Sequence, residues 1–235
     1  MWEDARAMKL PTAQTFAGRL IRAPLKLIPK DSVIPVLQGP MRGAKWIAGS
    51  HTHGCWFGNY EYEKQKLFAS LVHPGSIVYD VGANVGFYSL LAAKRGARVI
   101  ACEPDHANVT LLARHIELNR ANIVIEQVAV CEREGIESFS CDGPEGSLGE
   151  GDMQVRTVQL DSLLDRYPVP TVIKIDVEGA EWRVLEGAQK ILKHHPTVFL
   201  AFDDPVRTKI RGIELLTSFG YKYREVLGPN ELLFA

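Results

Sequence analysis

Residues 77–87 read IVYDVGANVGF, a short β-rich run that ends in a turn with two glycines. Gly82 and Gly86 allow a tight turn and a close approach between a ligand and the backbone. The helix predicted to begin at Phe87 would present its N-terminus to a negative group. The glycines follow the spacing G-x-x-x-G, and Asn84 stands where the dinucleotide fingerprint G-x-G-x-x-G carries its second glycine. The turn therefore predicts a ligand site that does not hold a pyrophosphate.

Two acids at strand ends describe the ligand further. Asp80 comes just before the turn, where a carboxylate would repel a pyrophosphate but suits a cation such as the ammonium of an amino acid. Glu103 lies 17 residues beyond Gly86, at the end of the next predicted strand. An acid there accepts hydrogen bonds from both ribose hydroxyls of a nucleoside. S-adenosylmethionine, a nucleoside with a positively charged tail and no phosphate, fits both acids.

A third group of acids follows a later strand, where residues 174–181 read KIDVEGAE. The acids project from the carboxyl edge of the predicted sheet, which is where open α/β sheets bind their ligands. Asp176 and Glu178 are close enough to share a pocket, so they are the candidate catalytic residues. Glu181 has two interpretations, a site residue or an acid that favours the N-terminus of the next helix.

Strands alternate with helices from Gly75 onward, which predicts an α/β fold with a mostly parallel sheet. The predicted strands span 77–81, 98–102, 123–128, 171–176 and 197–203, and the predicted helices span 87–95, 105–119, 180–193 and 207–219. Two further strands, 136–140 and 155–160, flank an acidic, glycine-rich loop at 142–151 that we predict to be mobile. A closing hairpin, 221–226 and 231–234, would add one antiparallel strand to the sheet.

The composition excludes several classes of protein. The 235 residues carry 27 Lys+Arg and 28 Asp+Glu, a net charge of −1, and 46% are hydrophobic, which excludes disordered, collagen-like and disulfide-scaffold proteins. Because there is no basic surplus, a nucleic-acid partner is not expected. The four cysteines form no C-x-x-C pair, so no metal or redox site is predicted, and we expect a reduced, cytoplasmic protein.

Three stretches together resemble the FkbM-type family of S-adenosylmethionine-dependent methyltransferases: residues 78–87, 102–104 and 173–181. The specific part is the pair of motifs D-x-G-A-N-x-G and K-I-D-x-E-G-A-E. Shorter likenesses occur at 118–119, 128–130 and 160–164, so that the resemblance covers about residues 75–203. Residues 39–61 more loosely resemble a leader found in some members.

The resemblance implies a class I methyltransferase (Rossmann-like) fold, with a seven-stranded, mostly parallel sheet, an antiparallel last strand and helices on both faces. It places the methionine part of the cofactor by the 80–86 turn, the ribose at Glu103 and the adenine between Gln127 and Val128. The implied cofactor-binding residues are Asp80, Gly82, Ala83, Asn84, Gly86, Glu103, Pro104, Gln127 and Val128. Many members carry a Glu or His near the end of the fifth strand, where this chain has Asp203.

We expect an N-terminal extension at 1–60 and a methyltransferase domain at 61–235 with a hairpin insertion near 131–160. Residues 39–61 predict a short β-hairpin, with His51 and His53 on one strand face; without a third ligand nearby, surface histidines are favoured over a metal pair. Residues 5–30 hold six Lys or Arg and no acid, interleaved with Leu and Ile. They form either a solvated arm or a peripheral anchor on the inner membrane face.

The expected function is O-methylation of a sugar hydroxyl in a glycan, glycolipid or related metabolite. Asp176 or Glu178 would act as the base, preferably with a pKa raised by burial, and Lys174 on the same strand face would oppose that effect. The alternatives are a natural-product or other small-molecule acceptor, a nicotinamide-dependent dehydrogenase, a nucleic-acid methyltransferase and a non-catalytic nucleoside-binding module. The leader and the 142–151 loop are expected to form the walls of the acceptor pocket, and the oligomeric state stays open.

Overall fold

The computed structural model describes residues 27–142, 145–149, 151–202, 209–228 and 230–235. In these ranges the strands are β1 (Val33–Pro35), β2 (Lys45–Ile47), β3 (Ile77–Val81), β4 (Arg98–Cys102), β5 (Ile123–Glu126), β6 (Ala129–Val130), β7 (Gly135–Asp142), β8 (Glu145–Leu148), β9 (Met153–Val158), β10 (Val172–Ile175), β11 (Thr197–Ala201), β12 (Tyr223–Gly228) and β13 (Glu231–Phe234). The helices are α1 (His53–Phe57), α2 (Tyr62–Leu71), α3 (Phe87–Lys94), α4 (His106–Asn119), α5 (Glu181–Glu186), α6 (Gln189–Leu192) and α7 (Lys209–Ser218), and a 3-10 helix spans Leu160–Asp165.

The main sheet has seven strands in the order β12-β13-β11-β10-β3-β4-β5. From β11 to β5 the neighbouring strands run parallel, whereas β13 is antiparallel to both β11 and β12. The last strand is thus inserted by a hairpin between its neighbours. This confirms the predicted seven-stranded, mostly parallel sheet with an antiparallel last strand.

Both faces of the sheet are covered, and β3 shows why its sequence is almost continuously apolar. Tyr79 packs into a core with Leu185 of α5 and Leu216 of α7. The neighbouring Val78 packs on the opposite face with Phe68 of α2 and Leu91 of α3. A strand buried on two faces needs apolar residues at consecutive positions rather than at alternate ones.

The N-terminal hairpin lies earlier in the chain than predicted. The antiparallel pair is β1 with β2, and residues 53–57 are helical, so the predicted hairpin at 39–61 is wrong and His51 and His53 do not share a strand face. Gly58 explains the difference, because it adopts a left-handed conformation (φ 87°) and its N–H bonds to the carbonyl of Gly54, which closes a single helical turn.

The leader is joined to the glycine turn through one buried histidine. Trp46 of β2 is fully buried and stacks on the His115 ring at a centroid distance of 4.1 Å. The Nε2 of His115 accepts a hydrogen bond from the Ile47 N–H at 3.1 Å, and its Nδ1 donates to the Val85 carbonyl at 2.8 Å. Burial lowers the pKa of His115 to about 4, which keeps the ring neutral in this arrangement.

The insertion near 131–160 is a four-stranded sheet of its own, in the order β6-β9-β7-β8. Strand β8 lies inside the segment predicted as the 142–151 loop, because residues 145–148 pair with the end of β7. Arg183 of α5 holds this sheet against the main domain: its guanidinium bonds Glu132 at 2.6 Å and Glu137 at 2.7 Å.

The predicted helix 180–193 is divided into α5 and α6. A Cβ at Gly187 would lie 2.1 Å from the Cys131 carbonyl oxygen, so the backbone of the insertion approaches the chain at the break. After the break, the Asp161 carboxylate accepts hydrogen bonds from the Lys190 and Ile191 N–H groups. This side-chain cap starts a new helix.

Two predictions concern residues outside the described ranges. Most of the basic N-terminal segment, residues 1–26, and Asp203 near the end of the fifth strand are not among the described residues. In the ranges that are described, no helix is both long enough and apolar enough to cross a membrane.

Candidate active site

A cleft lies at the carboxyl ends of β3, β4, β5 and β10. Seven of the residues predicted from the sequence line it: Gly82, Asn84, Glu103, Pro104, Val128, Asp176 and Glu178. They come from four separate turns, and the parallel sheet brings them together because all four turns follow strands at the same edge.

Four other predicted residues lie outside this lining, namely Asp80, Ala83, Gly86 and Gln127. Asp80 is fully buried: Ser89 Oγ donates to its Oδ2 at 2.6 Å, and Lys174 Nζ lies 3.3 Å from its Oδ1. Gln127 is exposed. The cofactor-binding and catalytic roles of all eleven residues stay predictions.

Gly82 holds the glycine turn against the loop that follows β10. Its φ is 77°, and a Cβ there would lie 1.9 Å from the Asp176 carbonyl oxygen. The Asp176 N–H in turn donates to the Val81 carbonyl at 3.1 Å. Only glycine allows this approach, so the backbones of the glycine turn and the candidate catalytic loop are in direct contact at Gly82.

Glu103 occupies the floor of the cleft, with 5% of the residue exposed. Its carboxylate accepts hydrogen bonds from the N–H groups of Asn84 (2.8 Å) and Asp105 (3.0 Å) and from the Asn108 amide (3.3 Å). Burial raises the pKa of Glu103, although these donors act against the rise. Asn108 lines the same cleft and was not predicted; its position in the first turn of the helix after Glu103 is the signal that could have found it.

Asp176 lies on the cleft wall between two lysines. Lys64 Nζ is 3.2 Å and Lys174 Nζ 3.4 Å from the same oxygen, Oδ2, and 27% of the Asp176 side chain is exposed. Burial raises the pKa of Asp176, but the two ammonium groups outweigh it and the net pKa is lowered. The expectation of a raised pKa is therefore wrong, because Lys174 turns inward as its strand position allows and Lys64 adds a second cation.

The loop 176–180 has two consecutive residues with positive φ, and the first of them, Glu178, carries a side chain and is therefore strained. Glu178 has a φ of 37° and Gly179 a φ of 87°, both in the left-handed region. Glu181 supports this loop, since it is fully buried and its Oε1 accepts a hydrogen bond from the Gly179 N–H at 2.8 Å. Of its two interpretations, this contact fits the start of the helix better than a place in the cleft.

A second set of side chains on the Asp176 side comes from the start of α2. Lys64 also contacts Glu61 Oε1 at 3.3 Å, and the Tyr88 hydroxyl donates to Glu61 Oε2 at 2.7 Å. Sequence reasoning missed Lys64. It stands 112 residues from Asp176 on a helix with no motif, so no local signal could have linked the two.

The insertion provides another wall of the cleft through Phe139, Gly146 and Leu148. Gly146 and Leu148 belong to the segment 142–151, which was expected to form a pocket wall. Phe139 was not predicted; it lies on β7, where it pairs with Leu148 of β8. The apolar side chains of Phe139, Leu148 and Val128 suit a flat aromatic ring such as adenine.

The cleft fits S-adenosylmethionine by the chemistry of its lining. Its charged lining residues in the described ranges are the acids Glu103, Asp176 and Glu178, which suit ribose hydroxyls and a cationic ligand. The same ranges contain no group of three His, Cys, Asp or Glu placed to hold a metal ion.

Comparison with known proteins identifies the family. A family model described as the methyltransferase FkbM domain matches residues 80–223, more than half of the chain. The hexuronic acid methyltransferase AglP of Haloferax volcanii is 26% identical over 140 residues, which cover 57% of this chain and 58% of AglP. A ribosomal protein L11 methyltransferase of Caldanaerobacter subterraneus is 28% identical over 120 residues, 49% of this chain and 35% of that protein.

Solved structures show the same fold. The FkbM methyltransferase of Methylobacillus flagellatus superposes with a TM-score of 0.52 at 18% identity, covering 77% of this chain and 52% of that one. TYW2 of P. horikoshii, solved in complex with MeSAdo, gives a TM-score of 0.53 at 15% identity and covers 88% and 72% of the two chains. This chain thus spans little more than half the length of AglP and of the solved FkbM protein. By its family model, motifs and fold, the chain belongs to the FkbM family of methyltransferases, and S-adenosylmethionine is its cofactor.

Proposed function

We propose that this protein transfers a methyl group to a sugar hydroxyl in a glycan, glycolipid or related saccharide. The observation that carries the proposal is Asp176, an ionised carboxylate that is partly exposed on the wall of the cleft. A sugar hydroxyl is a neutral nucleophile, and it needs an acceptor for its proton. The similarity to AglP, whose name records hexuronic acid as its substrate, supports a saccharide.

The chemistry divides between the cofactor and this chain. S-adenosylmethionine, when bound, supplies a methyl group on a positively charged sulfur. Glu103 would hold the ribose, the 80–86 turn with Asn84 would hold the methionine part, and Val128 would contact the base. Asp176 accepts a hydrogen bond from the acceptor hydroxyl, which fixes the direction of the oxygen lone pair and contributes through alignment.

The lowered pKa of Asp176 is compatible with this role. The hydroxyl oxygen gains positive charge as its new bond to carbon forms, so its proton becomes strongly acidic only at that stage. A carboxylate that is a weak base at rest can then take the proton. Because its pKa is lowered, Asp176 is already ionised at neutral pH and can accept the proton without losing one of its own first.

The test is transfer of a radiolabelled methyl group from S-adenosylmethionine to a panel of neutral hexose glycosides and hexuronate glycosides. Label that resists mild alkali is an ether on a hydroxyl and supports the proposal. Label that appears only on hexuronates and is released by alkali is a methyl ester. That result would overturn the proposal, because the acceptor would be a carboxylate and not a hydroxyl.

Two variants complete this experiment. Asp176→Asn should abolish most transfer while it leaves S-adenosylhomocysteine binding intact. Asp165→Asn, at an exposed aspartate that ends the 3-10 helix, is the matched control and should behave as the wild type. Binding of S-adenosylhomocysteine without transfer to any glycoside would instead favour the other acceptor classes or a non-catalytic nucleoside-binding module.

A further inference from the structure

We propose that Lys64 is a positioning residue of the active site: it holds Asp176 by one carboxylate oxygen and leaves the other oxygen to the acceptor. Lys64 lies on α2, outside the residues 80–223 that match the family model. The inference rests on the proposed function, since it assigns the part that Lys64 plays in the proton transfer at Asp176.

The contacts at Asp176 are asymmetric. Both ammonium groups approach Oδ2, Lys64 at 3.2 Å and Lys174 at 3.4 Å. The two lysines, which we call the lysine clamp, thus fix the orientation of the carboxylate. Oδ1 is then the oxygen at which a hydroxyl can bind without displacing a lysine.

The charges show why the second lysine is needed. Lys174 is shared between the buried Asp80 and the partly exposed Asp176, because its Nζ lies 3.3 Å from Asp80 and 3.4 Å from Asp176. Strand register causes this sharing: Lys174 is the partner of Asp80 in the β10–β3 pair. Without Lys64, two carboxylates would share one ammonium, and one of them would take up a proton more readily.

Lys64 is itself held in place. Only 6% of the residue is exposed, and Glu61 Oε1 lies 3.3 Å from its Nζ. The ring of Tyr88 is close to both members of the clamp, with Lys64 Nζ 5.8 Å and Lys174 Nζ 5.2 Å from its centroid. Cation–π contacts of this kind stabilise two ammonium groups near one another.

The charged and titratable groups around Asp176 come from several elements. They are Lys64 and Glu61 at α2, Lys174 on β10, Asp80 on β3, Tyr88 on α3 and Glu178 in the same loop. Lys64 and Lys174 are the cations in this set, and the lowered pKa of Asp176 follows from them. Removal of Lys64 is therefore expected to raise that pKa.

The experiment compares Lys64→Met with Lys66→Met, Lys64→Arg and the wild type. Lys66 is on the same helix but is half-exposed and pairs with Glu63 at 3.6 Å, so it is a matched control. In Lys64→Met, the acidic limb of the pH profile of kcat/KM should move up by at least about one pH unit. At a fixed pH on the acidic limb, activity relative to the wild type then falls by up to about tenfold for each unit of that shift. Activity at neutral pH is not changed by the shift, and Lys64→Arg restores the wild-type profile.

A purely structural role for Lys64 predicts a different result. It would lower activity by the same factor at all pH values, or lower the melting temperature and the affinity for S-adenosylhomocysteine. An acidic limb that stays in place in Lys64→Met, or that moves equally in Lys66→Met, would overturn the inference. In addition, Lys64→Met should have no further effect in the Asp176→Asn background.

A measurement without the acceptor separates this inference from the proposed function. Carbon-13 NMR of labelled aspartate carboxyls, with Asp176 assigned through Asp176→Asn, gives the pKa of Asp176 directly. That pKa should rise in Lys64→Met and stay unchanged in Lys66→Met. If no saccharide is methylated but the pKa rises, the proposed function fails and the Lys64–Asp176 coupling stands. If sugars are methylated but the pKa does not rise, the inference fails alone.

Discussion

Replacement of Gly82 by alanine should be far more damaging than the same replacement at Gly75, although both glycines have nearly the same backbone conformation. Their φ angles are 77° and 86°. At Gly75 a Cβ would meet no atom within 4 Å, whereas at Gly82 it would lie 1.9 Å from the Asp176 carbonyl oxygen. Gly75→Ala therefore measures the cost of the left-handed conformation alone, and Gly82→Ala measures that cost together with the steric overlap.

The magnitudes follow from these two contributions. An alanine in the left-handed region costs about 1–2 kcal/mol, which is the whole expected effect at Gly75. At Gly82 the overlap forces the glycine turn and the Asp176 loop apart by more than 1 Å, since real Cβ contacts shorter than 3.0 Å hardly occur. Overpacking of this kind adds about 1–3 kcal/mol. We expect Gly82→Ala to lose about 2–5 kcal/mol of the free energy of unfolding.

The separation of the two loops should also disturb the site, because a misplacement of about 1 Å can lower a rate 100-fold. Urea unfolding gives the stabilities, and isothermal titration calorimetry gives the affinity for S-adenosylhomocysteine. Gly82→Ala should bind at least about tenfold more weakly than Gly75→Ala, and Gly75→Ala should bind as the wild type does. Equal stabilities and equal affinities in the two variants would refute the view that Gly82 sets the close contact between the glycine turn and the candidate catalytic loop.

Three further predictions concern charged or titratable groups that are buried or mostly buried. Glu103→Gln should weaken S-adenosylhomocysteine binding about 10- to 100-fold by calorimetry, because charged hydrogen bonds contribute about 1.5–3 kcal/mol. Arg183→Met should destabilise the protein in urea by about 2–4 kcal/mol at pH 7, since it leaves Glu132 and Glu137 without their main cation. His115→Gln should remove a pH dependence of stability between about pH 6.5 and 4.

Both pH effects lower the stability of the protein in acid, but their causes differ. Arg183 lowers the pKa of Glu137 and, against burial, that of Glu132, so the stability they contribute is present above their unfolded pKa and is lost in acid. The effect of Arg183→Met should shrink below about pH 4, and an effect of equal size at pH 3 would contradict it.

Between pH 6.5 and about 4, the His115 ring binds a proton in the unfolded chain but not in the folded protein. Stability therefore rises with pH through this window, by about 3 kcal/mol in total. A wild-type stability that is flat from pH 6.5 to 4, or a His115→Gln variant with the wild-type slope, would contradict the prediction.

The sequence predicted those parts of the molecule that local patterns determine. Strands β3, β4 and β10 are short apolar runs followed by glycine or acidic turns, and their order along the chain was enough to place Gly82, Glu103 and Asp176 at one edge. The closing hairpin, β12 with β13, was visible for the same reason. In each case the sequence pattern that predicts the element lies within the residues that form it.

Features that depend on distant contacts could not be predicted in this way. The break between α5 and α6 reflects the approach of Cys131 to Gly187, and the lowered pKa of Asp176 reflects Lys64. In both cases the partners lie in separate elements, and only the folded chain brings them together. The local pattern around Asp176 showed burial and one nearby lysine, so it predicted the wrong direction for the pKa.

The two sides of the cleft are built by different means, and this difference has consequences for mutation. The cofactor side is fixed by strand register, as the pairing of Lys174 with Asp80 shows. The Asp176 side also depends on a side chain from a distant element, Lys64 on α2. Changes in the glycine turn should therefore reduce stability and cofactor affinity together, since the turn is part of the sheet. Changes at Lys64 should leave cofactor affinity intact and alter the reaction at Asp176, because α2 contributes to the site through that contact.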